Sequence, residues 1–297
     1  MSNFILNDGY NLSKSFLKNG NKDIVKIGNK KFIDLSNCSG ALLLGHNHSV
    51  TKKAIKNYLN KNFTSTSYPN TRALEFSEIV RKIFPNFKKI VLCNTGSEAV
   101  IKSLRISRAI NKKKKIVSVV GSWHGSVDQT LFTQDIRKEV QPISSGLKIN
   151  DKNNIIYIPY NDIKNSKKIL DRNKKKINCL IIEPILGGLP LENVSSYLKF
   201  LENYCKKNNI IFILDEIITG FRSKNFSVQN QFNIRPNLTL IGKVSGGGLP
   251  IGVIGISGIT LRKISKLKKK IFFGGTFSGN AFSTFVGSEV IKFIKKK

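Results

Sequence analysis

Six short apolar runs mark the chain: KIVLCN (89–94), KIVSVV (115–120), NIIYIP (154–159), NCLIIEP (178–184), IIFILDE (210–216) and LTLIGK (238–243). Each is too short for a helix and almost continuously apolar, as a strand covered on both faces must be. Between them, SEAVIKSLRISRAI (97–110) and SSYLKFLENYCKKN (195–208) repeat apolar residues every three or four positions, which predicts amphipathic helices. The alternation predicts an α/β fold with a mainly parallel central sheet. Ahead of residue 60 the pattern differs: NKKFIDLSN (29–37) reads as a hairpin arm and GHNHSVTKKAIKNYLNK (45–61) as a turn followed by a helix. With no fixed-period repeat and no Pro/Ser linker, residues 1–60 read as an N-terminal arm and lead-in helix and 61–297 as one large domain.

Charge changes this picture little. Fifty Lys and Arg against 18 Asp and Glu give a net charge of +32, a value that raises nucleic acid as a partner. The lysines, however, lie in scattered runs such as NKKKKI (111–116) and KFIKKK (292–297), and aromatic side chains are not interleaved with them as in a base-stacking groove. They read as solvated positions, so nucleic-acid binding is not expected, although the field would draw small anions to a cleft. Cys38, Cys93, Cys179 and Cys205 form no C-x-x-C pair and read as reduced, buried thiols. The opening MSNFILNDGYNLSKSF lacks the apolar core of an export signal, and the uncharged stretch 244–261 is too rich in Gly, Ser and Pro for a membrane helix. A soluble, cytoplasmic protein is expected.

Five stretches carry candidate chemistry. In CNTGSEAV (93–100) a strand runs into a helix whose first amides have no intrahelical acceptor, so Gly96 and Ser97 could bind a phosphate; taken alone, Ser97 reads first as a helix cap. GSWHGSVD (121–128) holds the one tryptophan, Trp123, whose face suits a flat heteroaromatic ligand or packs under a loop, with His124 beside it as a hydrogen-bonding group. Asp215 ends the run IIFIL at the edge where open α/β sheets bind ligands, and needs a cation, either Arg222 or a protonated ring nitrogen. Lys243 stands at another strand end before Gly246, Gly247 and Gly248; partly buried, it becomes a nucleophile for carbonyl carbons, with the glycines making room for what it holds. Thr276, in FGGTFSGNAF (273–282), is a further phosphate donor, while His46 and His48 lack a third metal ligand and read as turn and capping residues.

GHNHSV, NTGSEA, WHGSVD, IIEP, LDEIITGFR, LTLIGKVSGGGLPIG and GGTFSGN, in this order, resemble the class III aminotransferases, pyridoxal-phosphate enzymes of fold type I, and within them most of all the glutamate-1-semialdehyde 2,1-aminomutases. The resemblance runs from about KKFIDLSN to the end of the chain. It implies the large domain of fold type I, pyridoxal 5'-phosphate as cofactor, a small amino substrate and a homodimer. On it, Lys243 takes the Schiff-base position and Asp215 the partner of the pyridine nitrogen. Trp123 and Ile217 take the two ring faces, Gly96 and Ser97 the phosphate turn, and Thr276 a residue reaching the neighbouring subunit's phosphate. Glu183 and His124 are further candidates for orienting ring or substrate. The implied reaction is intramolecular amino transfer giving 5-aminolevulinate; the alternatives are an intermolecular transaminase, or a cofactor-binding fragment without turnover, since relatives continue past GGTFSGN into a small C-terminal domain that this chain is expected to lack.

Overall fold

The computed structural model describes residues 17–60, 69–191, 193–223 and 225–296. The chain opens with a three-stranded antiparallel sheet, β1 (Leu17–Asn21), β2 (Ile24–Ile27) and β3 (Lys30–Ile33), followed by a four-residue turn α1 (Asn37–Gly40) and helices α2 (Ser49–Leu59) and α3 (Thr71–Ile83). Then come β4 (Lys89–Cys93), α4 (Gly96–Ile110), β5 (Lys115–Val119), the ribbon β6 (Phe132–Gln134) and β7 (Val140–Pro142), β8 (Ile155–Ile158), α5 (Ile163–Asn173) and β9 (Ile177–Ile182). The rest is α6 (Ser195–Lys207), β10 (Ile211–Asp215), α7 (Val228–Gln231), β11 (Leu238–Gly242), β12 (Gly252–Ile256), α8 (Gly258–Ser265) and α9 (Ala281–Lys295).

The six apolar runs are β4, β5, β8, β9, β10 and β11, and all belong to one sheet in the order β4-β12-β11-β10-β9-β5-β8. Its strands run parallel except β12, which lies antiparallel to both β11 and β4. This seventh strand, GVIGI, falls inside the uncharged stretch 244–261; two glycines in five residues hide it from a reading based on apolar runs. Among the described residues no helix is long and apolar enough to cross a membrane.

Successive residues of the central strands face opposite layers. Leu180 and Ile182 of β9 with Phe212 and Leu214 of β10 join Leu198 and Leu201 of α6 on one face. Cys179, Ile181, Ile211 and Ile213 point the other way, to Val100 and Leu104 of α4. A third cluster ties α3 and α9 to β12 through Phe76, Val80, Val253 and Ile291. Helix α2 lies against α9, where Tyr58 meets Phe282 and Phe285 with ring centroids 5.3 and 5.6 Å away. Of the cysteines, Cys93, Cys179 and Cys205 are buried and Cys38 is exposed, which corrects the expectation of four buried thiols.

One fully buried carboxylate organises the chain beyond β10. Glu216 accepts from the backbone N–H of Val228 (2.7 Å) and of Gln229 (3.0 Å), the first turn of α7, and from Thr219 Oγ1 (3.0 Å). Burial pushes its carboxyl up to about 7 against the pull of these donors. A folded value above the ordinary 4.5 means that its contribution to stability is complete at low pH and is lost as pH rises through about 7. Melting temperatures measured between about pH 5 and 8 should therefore fall less steeply in Glu216→Gln than in the unchanged protein. Parallel curves would show that this carboxyl keeps an ordinary affinity for its proton.

Candidate active site

The carboxyl ends of β4, β10 and β11 open on a cavity of about 330 Å³. Gly96, Ser97, Trp123, His124, Glu183, Asp215, Ile217 and Lys243 all border it, although they lie up to 147 positions apart in sequence. Thr276 does not: it is exposed, in the loop before α9.

Strand β4 delivers its turn directly into α4. Thr95 caps this helix, its Oγ1 accepting from the Glu98 N–H at 3.1 Å, while the Glu98 carboxylate accepts from the Asn94 N–H at 2.7 Å. Ser97 is therefore not the cap that its neighbour Glu98 suggested; it sits in the first turn, and its Oγ accepts from the Ser126 N–H at 3.0 Å. That leaves the Ser97 hydroxyl proton, with the early amides of α4, for an anion. Gly125 makes this contact possible: at φ +75°, any Cβ placed on it would lie 2.3 Å from Ser97 Oγ.

Asp215 is 3% exposed, and its partner is His124. The Asp215 Oδ2 is 2.7 Å from His124 Nδ1, and Oδ1 accepts from the Ile217 N–H at 3.1 Å. Arg222, the protein cation proposed from sequence, turns elsewhere: its Nη2 donates to the Gly40 carbonyl and its Nε to that of Ile218. Trp123 is 54% exposed on the cavity rim and does not pack under a loop. Its backbone N–H donates to Glu183 Oε1 at 2.7 Å, and burial pushes the Glu183 carboxyl above the usual range.

Lys243 follows the last residue of β11 and is held at φ +45°, a left-handed conformation that costs an L-residue about 1–2 kcal/mol. Its Nζ donates to the Ser39 carbonyl at 2.7 Å. Burial, and then the Arg222 guanidinium, pull this ammonium below the usual lysine range. Of the three following glycines, Gly248 borders the cavity, whereas a Cβ on Gly247 would strike Val290 at 2.8 Å and the Val286 carbonyl at 3.1 Å. The glycine run thus serves helix packing as well as the cavity.

The sequence reading missed the contribution of the turn α1. Asn37, Cys38, Ser39 and Gly40 all have positive φ, between 45° and 81°. Asp34 Oδ1 accepts from the N–H groups of Ser36 (2.8 Å) and Asn37 (3.1 Å), and Ser36 Oγ accepts from the Ser39 N–H (3.1 Å), which holds this shape. Cys38 and Ala41 border the cavity. The clue was the polar cluster DLSNCSG before an apolar run, a turn by composition. His46 and His48 take structural roles: His46 Nε2 pairs with Asp34 Oδ2 at 2.7 Å, and His48 Nδ1 caps α2 by accepting from the Val50 N–H at 3.3 Å. No cluster of metal-ligating side chains occurs among the described residues.

Comparison with known proteins follows the same lines. The chain is 31% identical over 277 residues to the glutamate-1-semialdehyde 2,1-aminomutase of Methanocella arvoryzae, covering 92% of this chain and 65% of that protein. It is 34% identical over 280 residues to that of Wigglesworthia glossinidia brevipalpis, covering 92% and 63%. It thus spans a little under two thirds of the length of these curated relatives. Among solved structures, an omega-transaminase from Sphaerobacter thermophilus superposes with a TM-score of 0.83 at 22% identity, covering 94% of this chain and 66% of that one. A glutamate-1-semialdehyde aminomutase from Pseudomonas aeruginosa PAO1, in complex with PMP, gives 0.80 at 18% identity, with 93% and 63% covered. These two likenesses show the transaminase fold. The family described as aminotransferase class-III matches residues 11–297, and the chain belongs to it.

Proposed function

We propose that this chain carries the pyridoxal-phosphate site of an amino-group-transferring enzyme, and that its reaction is the intramolecular transfer in glutamate 1-semialdehyde that gives 5-aminolevulinate. One observation carries the proposal: a half-buried lysine and a buried carboxylate stand at the ends of neighbouring strands, on a cavity whose further wall is a helix N-terminus that carries the Ser97 hydroxyl. These groups fit the cofactor. The α4 amides and Ser97 would hold its phosphate, Asp215 its ring nitrogen, Trp123 and Ile217 its two faces, and Lys243 its carbonyl carbon. The family and the cofactor-bearing neighbours support the same molecule.

When bound, the cofactor supplies an electron sink for the charge left as a proton leaves the substrate carbon. The chain supplies the rest. Asp215, held by His124 Nδ1 and the Ile217 N–H, would face the ring nitrogen and keep a proton there. Lys243 Nζ, made easier to deprotonate by burial, takes the proton from the substrate carbon and returns it at the neighbouring position. The apolar rim of Trp123, Ile218 and Leu249 limits water around this exchange.

The intramolecular reaction is supported by curated relatives named glutamate-1-semialdehyde 2,1-aminomutase at 31–34% identity. Assay with glutamate 1-semialdehyde and no added amino acceptor tests it. Formation of 5-aminolevulinate is expected; a strict requirement for added 2-oxoacid would replace it with intermolecular transamination, and cofactor binding without either product would make the chain a binding fragment. The proposal includes a homodimer, because Thr276 lies in an exposed loop with Phe272 and Phe277, 76% and 60% exposed. Sedimentation at the monomer mass over the assay range would remove that part.

A further inference from the structure

We infer that Ser118 and Ser122 are positioning residues for Asp215: a turnable chain of two hydroxyls that keeps the His124 Nδ1–H on the Asp215 carboxylate whether the ring is neutral or charged. Ser118 is the one polar residue among Ile116, Val117 and Val119 in β5, and it is 1% exposed. A hydroxyl at such a place requires partners. Its Oγ is 3.2 Å from His124 Nε2 and 2.8 Å from Ser122 Oγ, and Ser122 Oγ lies 2.7 Å from the Val119 carbonyl. The chain therefore runs Asp215, His124, Ser118, Ser122, Val119.

The direction of each bond follows from what its ends can do. An ionised carboxylate only accepts, so His124 Nδ1, 2.7 Å from Asp215 Oδ2, donates. With a neutral ring, Nε2 is an acceptor: Ser118 donates to it, and Ser122 turns from the Val119 carbonyl to donate to Ser118. With a charged ring, Nε2 is a donor: both hydroxyls turn, Ser118 donates to Ser122, and Ser122 donates to the Val119 carbonyl. Either way each hydroxyl keeps a partner, and Nδ1–H stays on Asp215. A backbone N–H in place of Ser118 would permit only the neutral ring, and a carbonyl only the charged one. The hydroxyl pair accepts both, so the carboxylate remains pinned by His124 on Oδ2 and by the Ile217 N–H on Oδ1. The bond pattern belongs to the protein alone; only its use, aiming Asp215 at a ring nitrogen, rests on the function proposed above.

The chain holds three histidines, so ¹⁵N-histidine labelling reads His124 against His46 and His48 as internal controls of the fold. In the cofactor-free protein the ring spectrum is expected to show a protonated Nδ1. Ser118→Ala should move the Nε2 resonance to that of a nitrogen without a hydrogen bond and weaken pyridoxal-phosphate binding about tenfold through loss of one buried hydrogen bond, with the His46 and His48 signals unchanged, and Ser118→Thr should restore both properties. A bare Nδ1 in the unchanged protein overturns the inference even where Ser118→Ala does not fold. So does a Ser118→Ala protein with unaltered ring signals. A protonated Nδ1 that responds to Ser118→Ala, in a protein that binds no pyridoxal phosphate, supports the hydroxyl chain and removes the cofactor reading.

Discussion

Lys243→Ala is expected to abolish borohydride-stable attachment of pyridoxal phosphate and to lower turnover by about 10⁴-fold or more, since it removes both the nucleophile and the proton carrier. The chain should remain folded. The substitution removes one charged hydrogen bond, Nζ to the Ser39 carbonyl, worth about 1.5–3 kcal/mol, and leaves the left-handed backbone at φ +45° in place. Lys243→Gly separates these effects. It should be equally inactive yet about 1 kcal/mol more stable than the alanine protein, because glycine adopts that conformation without a Cβ penalty. Peptide mapping after reduction checks the first claim, and retained labelling elsewhere in the alanine protein would move the attachment point. Equal stability of the two variants would show that Lys243 stores no strain for its role.

Asp215→Asn is the second large expected effect. The amide preserves size but presents an NH₂ where two N–H donors, from His124 and Ile217, both require oxygen. It also removes the negative charge that would face the ring nitrogen. Turnover should fall about 10²- to 10³-fold, as when another preorganised electrostatic partner is removed. Cofactor attachment at Lys243 should persist, because the phosphate turn and the lysine are untouched. Rapid-mixing measurement of a single turnover checks this, and an unchanged rate would reduce Asp215 to a structural carboxylate.

Much of this site was legible because its residues close buried strands. IIFIL and LTLI are apolar on both faces, so Asp215 and Lys243 had to emerge at an edge. The same reasoning located the α4 turn but misjudged Ser97, since a cap is set by where the backbone turns helical, at Thr95, and not by the nearest Ser–Glu pair. Partner choice was not legible. Arg222 follows Asp215 closely in sequence, yet the Gly40 carbonyl of α1 and the Ile218 carbonyl draw its guanidinium away, and His124 arrives from a loop 91 residues earlier. Backbone carbonyls carry no sequence signature, which also hid the hold of Ser39 on Lys243. Ser118 lies unremarked inside the strand run KIVSVV; only the folded loop shows what its hydroxyl meets.

The interposed antiparallel strand β12 makes the sheet a ruler. Cys93, Gly252 and Gly242 stand side by side in one row across β4, β12 and β11. Strands in a sheet are spaced about 4.8 Å apart, so the strand feeding the α4 turn and the strand feeding Lys243 are separated by about 9 to 10 Å, and the strand ending in Asp215 lies about 5 Å further on. That spacing belongs to backbone hydrogen bonds and not to side chains, so substitutions around the rim leave it unchanged. On the proposed function it sets the direction in which the cofactor would lie, with its anionic end toward β4 and its cationic end toward β10. On the same proposal, substrate preference would change at the rim while the axis along which chemistry occurs stays put.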